Sequence, residues 1–275
     1  MDTVDKKIIL ALFKDGRVSQ RKIAEEVGLS ATSLNYRFNK LLEEKIIKSF
    51  SLYVNPNFYG KYEGRASFKN VKDLEANFVN VKVKCLEETN FYEFEGSSIG
   101  DLQDKLSYMS KTLGEPQMVY IPDQSPQKPS GVDIEIVRTL IKNPRMDIGE
   151  ISKAINIPSK TILRRLNALI NKNYIRIIPI IDLGKSDITT FAIYSQAISK
   201  LEFLERCEFL RFVDHDRGVV VCVTNDLKEA ESYVKEVRQN DPSSQVMIAV
   251  DYEIRNENAE KELDRIESDA LARNS

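Results

Sequence analysis

The sequence holds one histidine and three cysteines in 275 residues, and neither sign of charge is in excess. A single histidine, His215, excludes zinc sites built on several imidazoles and leaves little for haem ligation or histidine-rich catalysis. Cys85, Cys207 and Cys222 are odd in number and show no CxxC spacing. They read as reduced thiols, small buried apolar residues rather than a disulfide frame, even if Cys207 and Cys222 meet across packed elements. No apolar run nears the ~20 residues of a membrane span. The opening MDTVDKKIILALFKDGR lacks the basic n-region and small-residue cleavage site of a signal peptide. The expected location is the cytoplasm, with no membrane partner. Walker loops, GxGxxG runs, nucleophile elbows and metal-ligand runs are missing too, so no cofactor, metal or catalytic residue is expected. Forty Lys and Arg stand against 42 Asp and Glu, a net charge of −2, which argues against a uniformly basic nucleic-acid coat. A local basic patch stays open, because a total is only a sum over segments.

What is present is an ordinary globular composition, 42% hydrophobic and 30% charged, at a length that suggests two domains or more. The chain also repeats itself. VDKKIILALFKDGRVSQRKIAEEVGLSATSLNYRFNKLLEEKII, from Val4, aligns without a gap on VDIEIVRTLIKNPRMDIGEISKAINIPSKTILRRLNALINKNYI, from Val132, an offset of 128. Val4, Asp5, Ile8, Leu12, Lys14, Arg17, Ile23, Arg37, Asn39, Leu41 and Ile47 recur identically, and the apolar pattern recurs more completely still. PDQSPQKPSG, Pro122 to Gly131, is too rich in proline to be helix or inner strand and reads as a surface linker.

Each copy opens with three short helices. In the first, Ile8, Ile9, Leu12 and Phe13 form one face at a 3.6-residue period, ending near Asp15-Gly16. Ser19 caps a second helix with Ile23 and Val27 inward, Gly28 turns, and Ser30 caps a third with Leu34, Phe38, Leu41 and Leu42 inward. In the second copy Asp147 and Glu150 suit a capping box, and Pro158 stands where Ser30 stood, leaving Ser159 to cap. The spacing is that of a helix-turn-helix, and alternation at Ile47, Phe50 and Leu52 adds a strand, so the motif is winged.

A helix-turn-helix reads DNA with the N-terminal part of its third helix. The outward residues there are Ala31, Thr32, Ser33, Asn35, Tyr36, Asn39 and Lys40 in the first copy, with Arg21 on the preceding helix. The second offers Ser159, Lys160, Thr161, Leu163, Arg164, Asn167 and Ala168, with Lys160 and Arg164 the stronger phosphate or guanine ligands. Arg37 and Arg165 occupy equivalent positions and either touch phosphate or brace the fold against Asp5 and Asp133. From Arg17 to Lys48 seven Lys/Arg face four Asp/Glu, and from Lys142 to Arg176 eight face two; from Asp251 to Ser275 four face eight. Basic charge gathers on the helical domains, the distribution that double-stranded DNA as a partner requires. The bland alternative is a helix-turn-helix used only for protein contacts.

The first copy resembles the winged helix of the Lrp/AsnC family of transcription regulators, in Asp5 with Ile8-Ile9, the Asp-Gly-Arg turn, IAEEVGLS, Arg37 and the closing LLEEKII. The second resembles it less, with Asn143-Pro144 and Pro158 departing from the pattern. The resemblance implies an α+β chain in which each helical domain is followed by a ferredoxin-like βαββαβ domain. It also implies a homo-oligomer through such domains and a small-molecule effector of unknown identity. The second copy fits: strand ITTFAIYSQ, helix Lys200 to Cys207, strands Phe209 to Val213 and Gly218 to Val223, helix Leu227 to Val237, strand QVMIAVDYEI. In the first copy YEGRASF, NFYEFEG and QMVYI read as strands and DLQDKLSYMSKTLG as helix. Leu74 to Leu86 suits helix or strand, and the repeat favours helix. The family's effector turn, Gly followed two residues on by Asp, is matched by neither Gly96-Ser97-Ser98 nor the turn around His215.

His215, between Asp214 and Asp216, reads as a solvated hairpin turn before it reads as a pH or metal sensor. The tail carries Ala259, Leu263, Ile266 and Ala270 on one face, an acidic amphipathic helix packed within the chain. The expected organisation is a winged helix over 1–54, a divergent ferredoxin-like domain over 55–121 and a linker over 122–131. A second winged helix over 132–182, a second sandwich over 183–255 and the acidic helix over 256–275 complete it. The expected function is transcriptional regulation by a pseudo-dimer reading two unlike half-sites, without enzymatic activity. Two alternatives stand beside it: an enzyme like the sirohaem decarboxylases, which share the plan but rely on histidines this chain lacks, and a regulator whose second helical domain only mediates interactions.

Overall fold

The computed structural model describes residues 1–274. Helix α1 (Thr3–Lys14) starts where the Asp2 carboxylate accepts from the backbone N–H of Val4 and Asp5. It buries Ile8, Ile9, Leu12 and Phe13, each worth about 1.5–3 kcal/mol out of water. Ser19 caps α2 (Gln20–Val27), Gly28 leaves it with a left-handed φ of 72°, and Ser30 caps α3 (Ala31–Glu43). Strand β1 (Ile47–Val54) and one 3-10 turn lead to β2 (Tyr62–Lys69), β3 (Val79–Cys85), β4 (Thr89–Gly96), α4 (Ile99–Leu113) and β5 (Pro116–Tyr120).

The second copy runs through α5 (Gly131–Lys142), α6 (Ile148–Ile155) and α7 (Ser159–Asn171) to β6 (Ile175–Ile181). The Asp147–Glu150 capping box is formed, and Asn156 takes the left-handed position of Gly28. Then come α8 (Leu183–Ser186), β7 (Thr189–Ser195), β8 (Glu208–Asp214), β9 (Arg217–Thr224), α9 (Leu227–Asn240), β10 (Gln245–Ile254) and α10 (Glu257–Asn274).

The copies pair with each other rather than standing apart. β1 runs antiparallel to β6 as a two-stranded ribbon, Phe50 opposite Pro179 and Ser51 opposite Ile178. Under the offset of 128, Phe50 corresponds to Ile178 and Ser51 to Pro179, so each residue faces its neighbour's counterpart across a local twofold axis. The remaining strands form one eight-stranded sheet, β5-β2-β4-β3-β10-β7-β9-β8, among the described residues. Its two halves each show the 4-1-3-2 order of a ferredoxin-like unit, joined where Val81 to Cys85 of β3 pair with Ile254 to Ala249 of β10. On one face α4 covers Ala66, Phe68, Tyr92 and Phe94, and α9 covers Phe191, Ile193, Val220 and Cys222. The opposite faces meet, Phe91, Met118 and Tyr120 of the first half touching Val219 and Met247 of the second.

That meeting buries charge. Arg65, 1% exposed, donates from Nη2 to Glu93 Oε2 at 2.7 Å and to Glu63 Oε2 at 2.9 Å, while its guanidinium lies 3.6 Å from the ring centroid of Phe212 in the other half. The Tyr53 hydroxyl, from β1, also donates to Glu93. Glu95 accepts from Tyr59 and Asn80 nearby. Burial pushes the Glu93 carboxyl up to about 7 and raises Glu95 as well; beside Glu93, the negative Glu63 adds to the effect and Arg65 opposes it.

Four expectations are corrected. Leu74 to Leu86 is not a helix: 70–78 is irregular, tied by Asn70 and Asp73, and Val79–Cys85 is a strand gripped by β4 and β10, in which Val81 and Val83 share one face and a bulge turns Val79 to the other. Lys200 to Cys207 forms 3-10 turns, Ile198–Lys200 and Glu202–Arg206, because Ile198, Leu201 and Leu204 all bury at a spacing of three. Cys207 and Cys222 are joined by a disulfide, their Cα atoms 4.8 Å apart, since the turn delivers Cys207 beside β9; Cys85 alone is a buried free thiol. Ser159 does not cap α7 but is its first residue; Pro158 holds the N-cap position and supplies no side-chain cap. The tail helix does pack within the chain, Ala259 and Leu263 lying against the second helical domain.

The Glu93 shift has a stability consequence. Between about 4.5 and 7 the folded chain keeps a proton that the unfolded chain has released, so stability is highest below that window and falls as pH rises through it. Thermal midpoints measured across this range should fall with pH, and Glu93→Gln should flatten the fall; an unchanged slope would place the titration elsewhere.

Candidate nucleic-acid interface

The third helix of each copy presents its N-terminal turns outward. On α3, Thr32, Ser33, Asn35, Tyr36 and Lys40 are exposed, Tyr36 at 71%, while Leu34, Phe38 and Leu41 anchor the other face. Thr32, Ser33, Tyr36, Arg37 and Lys40 line one shallow hollow with Asp2 and Asp5; Asn35 lies outside it. On α7, Ser159, Lys160, Arg164 and Asn167 are exposed and Thr161 is half-buried, over Ile162, Leu166 and Leu169. Arg165 lines a separate hollow with Asp133 and Lys172.

The electrostatics of the two helices differ. Arg21 pairs with Glu25 at 3.1 Å and Lys40 with Glu44 at 3.8 Å, all well exposed, so such contacts contribute little and yield easily to a phosphate. Neither Lys160 nor Arg164 forms an ion pair among the described residues. Arg37 donates to Asp2 at 2.6 Å and Asp5 at 2.8 Å, and the two carboxylates raise its pKa. Arg165 approaches Asp133 at 3.4 Å. Both arginines therefore tie the third helix to the first of their own domain, one of the two roles the sequence left open.

One pair of residues could not be singled out from the sequence. Arg17 and Arg145 are related by the offset of 128, and each reaches into the opposite copy. Arg17 donates to the carbonyls of Pro144 (3.2 Å) and Met146 (2.7 Å), and Arg145 to the carbonyl of Val18 (2.9 Å). Arg145 also stacks 4.7 Å from the ring centroid of Phe50. Burial pulls both guanidinium groups below their usual range. Beside them, a Cβ on Gly16 would stand 2.4 Å from the Ile177 carbonyl oxygen in β6. Arg17 recurs identically in the repeat, which was the available signal. This reciprocal exchange fixes the two helical domains against each other, and so the relation between α3 and α7.

Elsewhere, His215 sits in the β8–β9 turn, 82% exposed and at positive φ, with Asp123 and Asp214 at 3.5 and 3.4 Å. Among the described residues no helix is long and apolar enough to cross a membrane.

Comparison with known proteins bears on the helical domains first. The family model "Winged helix-turn-helix DNA-binding" matches twice, over residues 1–48 and 130–176. HTH-type transcriptional regulator FL11 of Pyrococcus furiosus is 42% identical over 60 residues, 22% of this chain and 40% of that protein. An uncharacterised HTH-type transcriptional regulator of the same organism is 33% identical over 115 residues, 42% of this chain and 76% of that protein. The chain thus spans two fifths of the first relative and three quarters of the second. Among solved structures, the siroheme decarboxylase NirDL overlaps 98% of this chain and all of its own at 13% identity, with a TM-score of 0.44.

Replacing Gly16 by alanine should cost about 1–3 kcal/mol in urea denaturation, because the β6 backbone must retreat. A midpoint equal to that of the unaltered chain would mean the contact is slack.

Proposed function

Because the chain belongs to the HTH-type transcriptional regulators and its first copy resembles the Lrp/AsnC family, we propose that it regulates transcription by binding double-stranded DNA with two recognition helices, α3 and α7, carried on one chain. The observation that carries this reading is the double match of the winged-helix model, once over each copy. Thr32, Ser33, Asn35, Tyr36 and Lys40, with Arg21, serve the first half-site, and Ser159, Lys160, Thr161, Arg164 and Asn167 the second. Arg37 and Arg165 act from behind, holding each helix at its angle.

An ordinary dimer presents two identical helices to a palindrome, its half-sites about one turn, ~34 Å, apart. Here the two reading surfaces differ residue by residue. Tyr36 stands where Arg164 stands in the second copy, and Asn35 where Leu163 stands. The preferred operator is therefore asymmetric. Selection of sites from random DNA should return two dissimilar half-sites; a perfect inverted repeat would overturn the assignment.

The second copy carries the larger electrostatic share, since Lys160 and Arg164 are exposed and form no ion pair among the described residues. Replacing both by alanine should weaken DNA binding more than replacing Asn35 and Lys40. It should also reduce the slope of log affinity against log salt by about 1 for each phosphate no longer neutralised. Unchanged affinity and slope would reduce the second helical domain to a scaffold.

A further inference from the structure

The two sheet faces that meet in the middle of the molecule do not close completely. They leave a cavity of about 90 Å³ walled by side chains such as Val81, Val83, Phe91, Val219, Val221 and Met247. Arg65, Glu93 and Thr190 supply polar groups to the same wall. Two of these groups are unfinished. Glu93 Oε1 and Thr190 Oγ1 are buried and have no hydrogen-bond partner among the described residues; the Glu93 side chain is only 3% exposed and its other oxygen is fully engaged. An unmatched buried acceptor costs about 1–3 kcal/mol, so such atoms mark places where a partner belongs.

Charge points to the kind of partner. Arg65 is one cation shared between Glu63 and Glu93, both buried. The neighbouring buried cation, Lys82, is spent on Asp73 and Glu75, and Glu95 on the same face adds a further carboxylate with neutral partners. The buried set therefore has more carboxylates than cations, and burial drives Glu93 toward its neutral form. With Glu93 ionised, a cationic donor at Oε1 would take the place of that proton and complete both the hydrogen bonding and the charge.

The packing itself does not demand this arrangement. On the meeting face of the first half, the cross-strand pairs are Glu63–Glu95 and Arg65–Glu93. In the second half the matching pairs are Thr190–Val223 and Ala192–Val221. The same sheet positions are filled in the second half by small, uncharged side chains, so the charged set of the first half is a departure from what the fold needs.

We propose that this intersheet cavity is a binding site for a small primary aliphatic amine. Its ammonium donates to Glu93 Oε1 and Thr190 Oγ1, and its hydrocarbon lies among the valines, Phe91 and Met247. The volume limits the ligand. An engineered cavity of about 150 Å³ accepts benzene, with six non-hydrogen atoms, so about 90 Å³ holds about four, the size of propylamine. Water fits the space less well, because each molecule needs two to four polar partners and the walls beyond Glu93 and Thr190 are mainly apolar. The proposal does not depend on the DNA-binding reading, since none of these residues lies on α3 or α7.

Titration of the intact chain with n-propylammonium chloride at pH 8, by calorimetry and by thermal shift, tests it, with 1-propanol and acetate as neutral and anionic counterparts of equal size. Saturable one-to-one binding of the amine alone is expected. Glu93→Gln should weaken it at least tenfold and Thr190→Val by a smaller factor. Ala192→Leu, which keeps Glu93 but fills the space, should abolish it. Absence of saturable binding, equal binding of the three compounds, or full binding to the filled-cavity variant would overturn the proposal. Should Glu93→Gln not fold, the valine and leucine variants decide the matter.

Discussion

Strand β1 has one partner, and it belongs to the other copy of the repeat. A strand whose backbone groups go unpaired is costly to bury, so neither winged helix can complete its own wing alone. The ribbon of β1 and β6 answers both needs at once, and much of the molecule follows from it. It sets the local twofold axis, brings Gly16 against the Ile177 carbonyl, and lets Arg17 and Arg145 cap carbonyls across the axis. It also delivers Tyr53 into the sheet interface, where its hydroxyl meets Glu93.

Once the frame is shared, the two copies can differ without losing it. The helical domains keep the buried residues and diverge on the outward turns, where α3 carries hydroxyls, amides and paired bases and α7 carries a lysine and an arginine that form no ion pair among the described residues. The sandwiches diverge in the opposite place, inside. The first half buries Glu63, Arg65 and Glu93 where the second packs threonine, alanine and valine. Asymmetry on the outer surface suits two unlike partners on a linear polymer. Asymmetry at the inner seam suits one small ligand held between unlike walls.

Much of this was legible in the chain. The gapless repeat, the caps at Ser19 and Ser30, the Asp147–Glu150 box and the tail helix all rest on local chemistry, which the sequence carries directly. What escaped depends on contacts between distant segments. Leu74 to Leu86 fits two periods, and only pairing with β10 decides for the strand. The Cys207–Cys222 bond needs a 3-10 turn that a helical pattern does not foretell. YEGRASF and NFYEFEG read as strands, but nothing in them tells that Glu63, Arg65, Glu93 and Glu95 lie beneath the other half of the same chain. On the candidate interface, the exposed residues of α3 and α7 could be picked out by helical spacing, whereas the role of Arg17 and Arg145 required the axis.

The covalent junction over 122–131 changes how the twofold arrangement responds to dilution. Two separate chains that must pair obey mass action, and their complex thins out as its concentration falls. When both partners share one backbone, pairing becomes intramolecular, with an effective concentration set by the connecting segment. That segment is itself docked, Gln127 donating to the Asn57 carbonyl and Gln124 bonding to Glu63 and Asn57. The union of the halves is therefore independent of copy number, and a cell holding a handful of molecules has them all assembled.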